Sequence, residues 1–271
     1  MKVIRVKNII IWALIIANAF FLSFFLGRII KEQSEKKETL ANLTALFERN
    51  GVHLDTGNIR EGGELAELHI SRDIDRERRL AETLLGPVEM TENGGIYTYD
   101  AGTNGRAVFR SGGAFEIKFS ERLYNDTASA RSTAKSILKT MGVETYSLDV
   151  TGEKGYETAD AICSWERVPI FNCRIRLIFK NGSLDEISGT YAADIEATAK
   201  IADMSSCVTS MTYFLSEIKS GRISCRQILS VEPGYRLKAA GDIISAVWRV
   251  ETEPGVYYYV NARTQNIETD A

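Results

Sequence analysis

The period of the apolar positions changes several times along this chain, most sharply at its start. Asn8 to Gly27 is a run of 20 residues without a charge. A helix of that length covers about 30 Å, the hydrocarbon thickness of a bilayer, so the run predicts a single N-terminal transmembrane helix. Ala17-Asn18-Ala19 also has the small-x-small form of a signal-peptidase site. Cleavage there leaves Phe20-Phe21-Leu22 and Phe24-Phe25-Leu26 as an exposed apolar terminus, which favours an uncleaved anchor. Lys2, Arg5 and Lys7 precede the run with no acid among them, whereas Arg28, Lys31, Lys36 and Lys37 follow it mixed with Glu32, Glu35 and Glu38. The tail before the run is therefore expected in the cytoplasm and the rest outside it, at the cell membrane.

Beyond the run, residues 28–38 read as a charged stalk. Helical spacing then appears at Leu40, Leu43 and Phe47 up to Gly51, and again at Leu80, Leu84 and Leu85 between Asp73 or Asp75 as cap and Gly86-Pro87 as stop. Strand alternation marks 64–71, 95–101, 106–111 and 115–119, where Phe115, Ile117 and Phe119 alternate with Glu116 and Lys118. The second half reads as a helix followed by a meander, twice. Helix 127–141 leads into strands near 146–151, 157–167, 170–180 and 184–190; helix 204–220 leads into strands near 227–237, 244–252 and 256–262. Trp165-Glu166-Arg167-Val168 and Trp248-Arg249-Val250-Glu251 stand at similar points of the two units, which suggests duplication. The expected class is α+β: a single transmembrane helix followed by antiparallel-sheet-plus-helix modules. The expected divisions are 1–38 (cytoplasmic tail, transmembrane helix and stalk), 39–122 (N-terminal α+β module) and 123–271 (C-terminal α+β region, with 123–198 and 199–271 as its repeats).

Charge narrows the partners. The chain carries 33 basic and 36 acidic residues. Beyond Glu38 the counts are 26 and 33, a net −7, which argues against a nucleic-acid partner. The four cysteines, Cys163, Cys173, Cys207 and Cys225, include no CxxC pair. Cys163 and Cys173 sit symmetrically about Val168, so a hairpin would set them opposite each other, either as a disulfide or as two buried thiols. Cys207 and Cys225 bracket a helix of about four turns, too far apart to bridge.

Catalytic signatures are absent from the sequence. His53 and His69 fit no metal or triad spacing, and there is no nucleophile elbow, P-loop, dinucleotide fingerprint or HExxH run. The carboxylate pairs Asp194/Glu196 and Glu157/Asp160 are nominal candidates for a wall hydrolase, but nothing singles them out. Neither an enzyme nor a cofactor is expected. In Tyr257-Tyr258-Tyr259, strand alternation puts Tyr257, Tyr259 and Asn261 on one face and Tyr258 and Val260 on the other, as a ligand platform or, more simply, as two-sided burial. Ala19, Ser23 and Gly27, spaced by four with Asn18 alongside, form a small-residue ridge suited to contact with another helix; the plain alternative is a lipid anchor.

The ending Ile243-Ile244-Ser245-Ala246-Val247-Trp248-Arg249-Val250, followed by Tyr257-Tyr258-Tyr259-Val260-Asn261-Ala262-Arg263-Thr264, resembles the closing hairpin of PepSY-like modules, with Gln265 where that pattern has Gly. Together with the charge-free run and the helix-plus-meander units, the chain resembles the YycH/YycI family. The resemblance implies an extracytoplasmic regulator of a sensor histidine kinase in a cell-wall-related two-component system, acting without catalysis through helix and ectodomain contacts. The implied partners are the kinase and a sister YycH-type protein. A PepSY-type protein that restrains a secreted peptidase, or aids spore or envelope assembly, is the alternative.

Overall fold

Strand pairing, more than helix packing, organises the computed structural model. It describes residues 2–60, 62, 65–120, 129–153, 155–190, 195–201, 204–238, 243–253 and 255–270, without the side chains of 2–13, 15–17, 19, 26, 29, 32 and 198–201. The elements, in order, are α1 (Lys2–Glu48), β1 (His53–Leu54), β2 (Ala66–Ile70), α2 (Ile74–Leu85), β3 (Glu89–Asn93), β4 (Ile96–Asp100), β5 (Gly105–Phe109), β6 (Ala114–Phe119), α3 (Ala130–Thr140), β7 (Thr145–Glu153), β8 (Tyr156–Trp165), β9 (Val168–Lys180), β10 (Ser183–Thr190), β11 (Ile195–Ile201), α4 (Cys207–Lys219), β12 (Gln227–Leu237), β13 (Ile243–Thr252), β14 (Val256–Asn261) and β15 (Ile267–Thr269).

Local chemistry accounts for the helix ends. Asp73 accepts a hydrogen bond from the Arg76 amide at the start of α2, and Gly86, at φ 89°, closes it. Ser129 and Ser206 cap α3 and α4 in the same way. Glu166 and Arg167, at φ 49° and 67°, form the two-residue turn between β8 and β9.

The strands form one mixed sheet of 15 strands, along the path β11-β2-β13-β12-β9-β10-β6-β5-β4-β3, with β7, β8, β14, β15 and β1 attached at its sides. Strand β9 joins the two wings. Its N-terminal end pairs in parallel with β12 at Tyr235↔Ile170, and its remaining length lies between β8 and β10. The join depends on a bare Cα, because a Cβ on Gly234 would stand 2.5 Å from the Phe171 ring and 2.9 Å from Pro169 O. Beside it, Asn172 imitates a strand backbone: Oδ1 accepts from Leu237 N at 2.8 Å and Nδ2 donates to Leu237 O at 2.7 Å.

The expected architecture is therefore corrected. Separate antiparallel modules do not form. Strand β2 inserts between β11 and β13, and β6 pairs with β10, so early strands complete sheets begun by late ones. Hydrophobic alternation reports which face of a strand is buried, but it does not name the neighbouring strand. The expected single transmembrane helix is corrected too: among the described residues no helix is long and apolar enough to cross a membrane.

Helix α1 has 47 residues, about 70 Å at 1.5 Å per residue. Its last turns dock on the body, with Leu43 and Phe47 buried against β1 and α4. From Leu14 to Thr39 its described side chains are exposed.

Candidate functional site

Two features stand out as binding surfaces: the projecting part of α1 and a recess on the C-terminal wing. On α1, Phe20, Phe21, Leu22, Phe24 and Phe25 are 57–68% exposed. Of the small-residue ridge, Ser23 and Gly27 are exposed, a Cβ on Gly27 would meet nothing within 4 Å, and the Ala19 side chain lies outside the described residues. Asn18 spends its amide locally, donating to Leu14 O at 2.9 Å.

The recess is built on β14. As its alternation indicates, Tyr258 faces α4, its ring 5.3 Å from Phe214, while Tyr257 and Tyr259 face the other side. There Tyr259 meets Phe171 at 5.7 Å, and a small apolar layer of Phe171, Val247, Tyr257 and Tyr259 forms on the side of the sheet away from α4. Two guanidinium groups roof the rings. Arg249 lies 4.3 Å from the Phe171 centroid and 5.0 Å from that of Tyr257, and Arg236 lies 4.3 Å from that of Tyr259.

Each arginine is held by acids. Arg249 pairs with buried Glu232, which also takes Arg60 at 3.3 Å and the Tyr146 hydroxyl at 3.3 Å, tying β7, β12 and β13 together. Arg236 lies 3.2 Å from Glu268 and 3.6 Å from Asp270. The Tyr259 hydroxyl donates to Asp270 at 2.7 Å; burial first, and then that acid, push its phenol well above the ordinary tyrosine range. Next to Tyr259 the surface opens into a recess of about 430 Å³, lined in part by Asn172, Arg236, Lys238, Ser245, Asn261 and Glu268. A smaller pocket of about 60 Å³ adjoins it, sharing Lys238, Ser245 and Asn261 and adding Glu67 and Arg263.

The other candidates fall elsewhere. Cys163 and Cys173 are free, buried thiols on β8 and β9. A bulge between Ile162 and Ser164 restores the Ile162↔Arg174 register and brings the two thiols together. Their mutual hydrogen bond, then burial, raises the Cys163 thiol far above its usual range, and Cys173 donates to Thr190 O at 3.2 Å. Cys207 and Cys225 are free as well. His53 and His69 are exposed strand residues. Asp160 is engaged by Arg176 at 2.6 Å, and Asp194 lies outside the described residues. No cluster of three or more metal-ligating side chains occurs among the described residues. Gln265, at φ 60°, makes the left-handed turn for which the resembled pattern uses Gly, and its amide donates to Ser205 Oγ at 2.8 Å.

What sequence reading missed is the lining of the recess. Phe171, Asn172 and Arg236 come from strands far from β14 in the chain, and only the alternation of Tyr257, Tyr259 and Asn261 signalled that this face exists.

No protein-family profile and no curated protein matches the chain. Among solved structures it is similar to an uncharacterized protein from Eubacterium rectale ATCC 33656, with a TM-score of 0.46 and 12% identity over 80% of this chain and 85% of that one.

Proposed function

We propose that this chain is a non-catalytic, extracytoplasmic regulator held at the cell membrane, which binds a sensor histidine kinase of a cell-wall-related two-component system. One observation carries the reading: α1 docks on the body by its last turns and carries a group of phenylalanines that none of the described residues covers. An apolar surface of that kind is stable only in lipid or against a partner. The resemblance of the β13–β14 hairpin to PepSY-like closing strands, and of the whole chain to the YycH/YycI family, supports the choice of partner. A sister YycH-type protein is the second partner of the body.

Regulation of this kind needs no chemistry. A binder shifts a two-state kinase by as much as its affinities for the two states differ, and about 1.4 kcal/mol changes the balance tenfold. The exposed face at Ser23 and Gly27 is where a kinase helix would approach. The test is a photo-crosslinking residue at Phe24 in the full chain, with and without Ser23→Leu and Gly27→Leu. The expected result is a crosslink to the kinase that the double substitution weakens several-fold. Crosslinks to lipid alone, with the kinase present, would contradict the reading.

A further inference from the structure

We propose that the recess over β13 and β14 is a binding site for a carboxylate carried on a short organic chain, with Lys238 taking the charge and Ser245 and Asn261 the hydrogen bonds. This goes beyond the kinase reading and stands without it.

The electrostatics select the ligand. Every described acid around the recess has a cation: Glu67 has Arg263 at 3.0 Å, Glu268 has Arg236 at 3.2 Å, and Asp270 lies 3.6 Å from Arg236 and 3.9 Å from Arg174. Lys238 pairs with none of them, so among the described residues one positive charge is left over at the mouth. A monoanion balances it. A phosphate dianion would face the carboxylates of Glu268 and Asp270 with a second charge and no second cation to meet it.

The hydrogen-bond inventory points the same way. Asn261 Oδ1 already accepts from the amides of Arg263 and Thr264 at 3.0 and 2.9 Å, which fixes the side chain and leaves Nδ2 as a donor. The Ser245 hydroxyl has no partner among the described residues. Two neutral donors and an ammonium around one opening suit a carboxylate, which only accepts. Beneath them Val247 and the Tyr259 ring give an apolar floor, and about 430 Å³ falls in the range of small-ligand sites. A peptide C-terminus and a sugar acid share this chemistry.

The experiment titrates the full-length chain in detergent with three probes: acetyl-tri-alanine with a free carboxylate, the same peptide as its C-terminal amide, and glucuronate. The site predicts that at least one carboxylate binds roughly tenfold or more tightly than the amide. Lys238→Met should remove that advantage and Lys238→Arg should keep most of it. Preference for the peptide acid assigns a chain terminus, and preference for glucuronate assigns a sugar acid. Lys238 is exposed, so these substitutions leave the fold in place, which circular dichroism checks. Neither carboxylate binding more tightly than the amide, no binding of either carboxylate at about 10 mM, or affinity of the preferred carboxylate unchanged in Lys238→Met would each overturn the proposal.

Discussion

At the residue scale, the body is held by a few side chains that do the work of backbone. Asn172 supplies both halves of a strand pair to Leu237, where β9 turns away from β12. Asn172→Ala leaves a buried N–H and a buried C=O unpaired and is expected to cost about 1–3 kcal/mol, read from chemical denaturation. Gly234→Ala drives a methyl into Phe171 and Pro169 O and should cost a similar amount, about 1–3 kcal/mol, where an alanine on an open strand costs almost nothing. Tyr99 and Tyr235 contribute to the alkaline response. Burial, as the largest cause, raises both phenols to about 12. A phenol whose pKa is higher folded than unfolded contributes stability below the unfolded value of about 10 and loses it as pH rises toward 12. The urea midpoint should therefore fall between pH 10 and 12, and Tyr99→Phe with Tyr235→Phe should flatten that fall.

At the scale of elements, the pattern of the chain was legible wherever an element is half-buried and capped. Asp73 and Gly86 bound α2 as their chemistry indicates, and Gln227–Leu237 emerges as β12 over the expected span. Strand β3, Glu-Met-Thr-Glu-Asn, escapes because every residue is exposed and no apolar period exists to read. Its two glutamates suit an edge that must not recruit another strand. The insertion of β2 between β11 and β13 and the parallel joint between β9 and β12 were illegible for a different reason, since pairing partners are set by the assembled sheet. The recess follows the same rule: the tyrosine face was visible in β14, but its cations come from β12 and its aromatic neighbour from β9. Helix α1 shows how one element divides its duties. Phe47 is fully buried and joins the helix to the body, so Phe47→Ala should cost about 3–5 kcal/mol and speed amide exchange across residues 40–48. Phe24→Ala, on the exposed stretch, should leave both unchanged.

At the scale of the whole molecule, a stiff sheet of 15 strands is attached to a helix about 70 Å long through little more than Leu43 and Phe47. A rigid body on a long lever can transmit a bound state on the sheet to a partner that grips the helix, provided both partners favour the same arrangement. No reaction is required of the protein itself. The most direct measurement is the autophosphorylation rate of the proposed partner kinase in liposomes, with and without this chain at equal lipid and kinase content. The account predicts a change of at least about tenfold in either direction, equivalent to about 1.4 kcal/mol of preference for one kinase state, and its loss in the Ser23→Leu, Gly27→Leu variant. An unchanged rate with folded, membrane-bound protein present would contradict it.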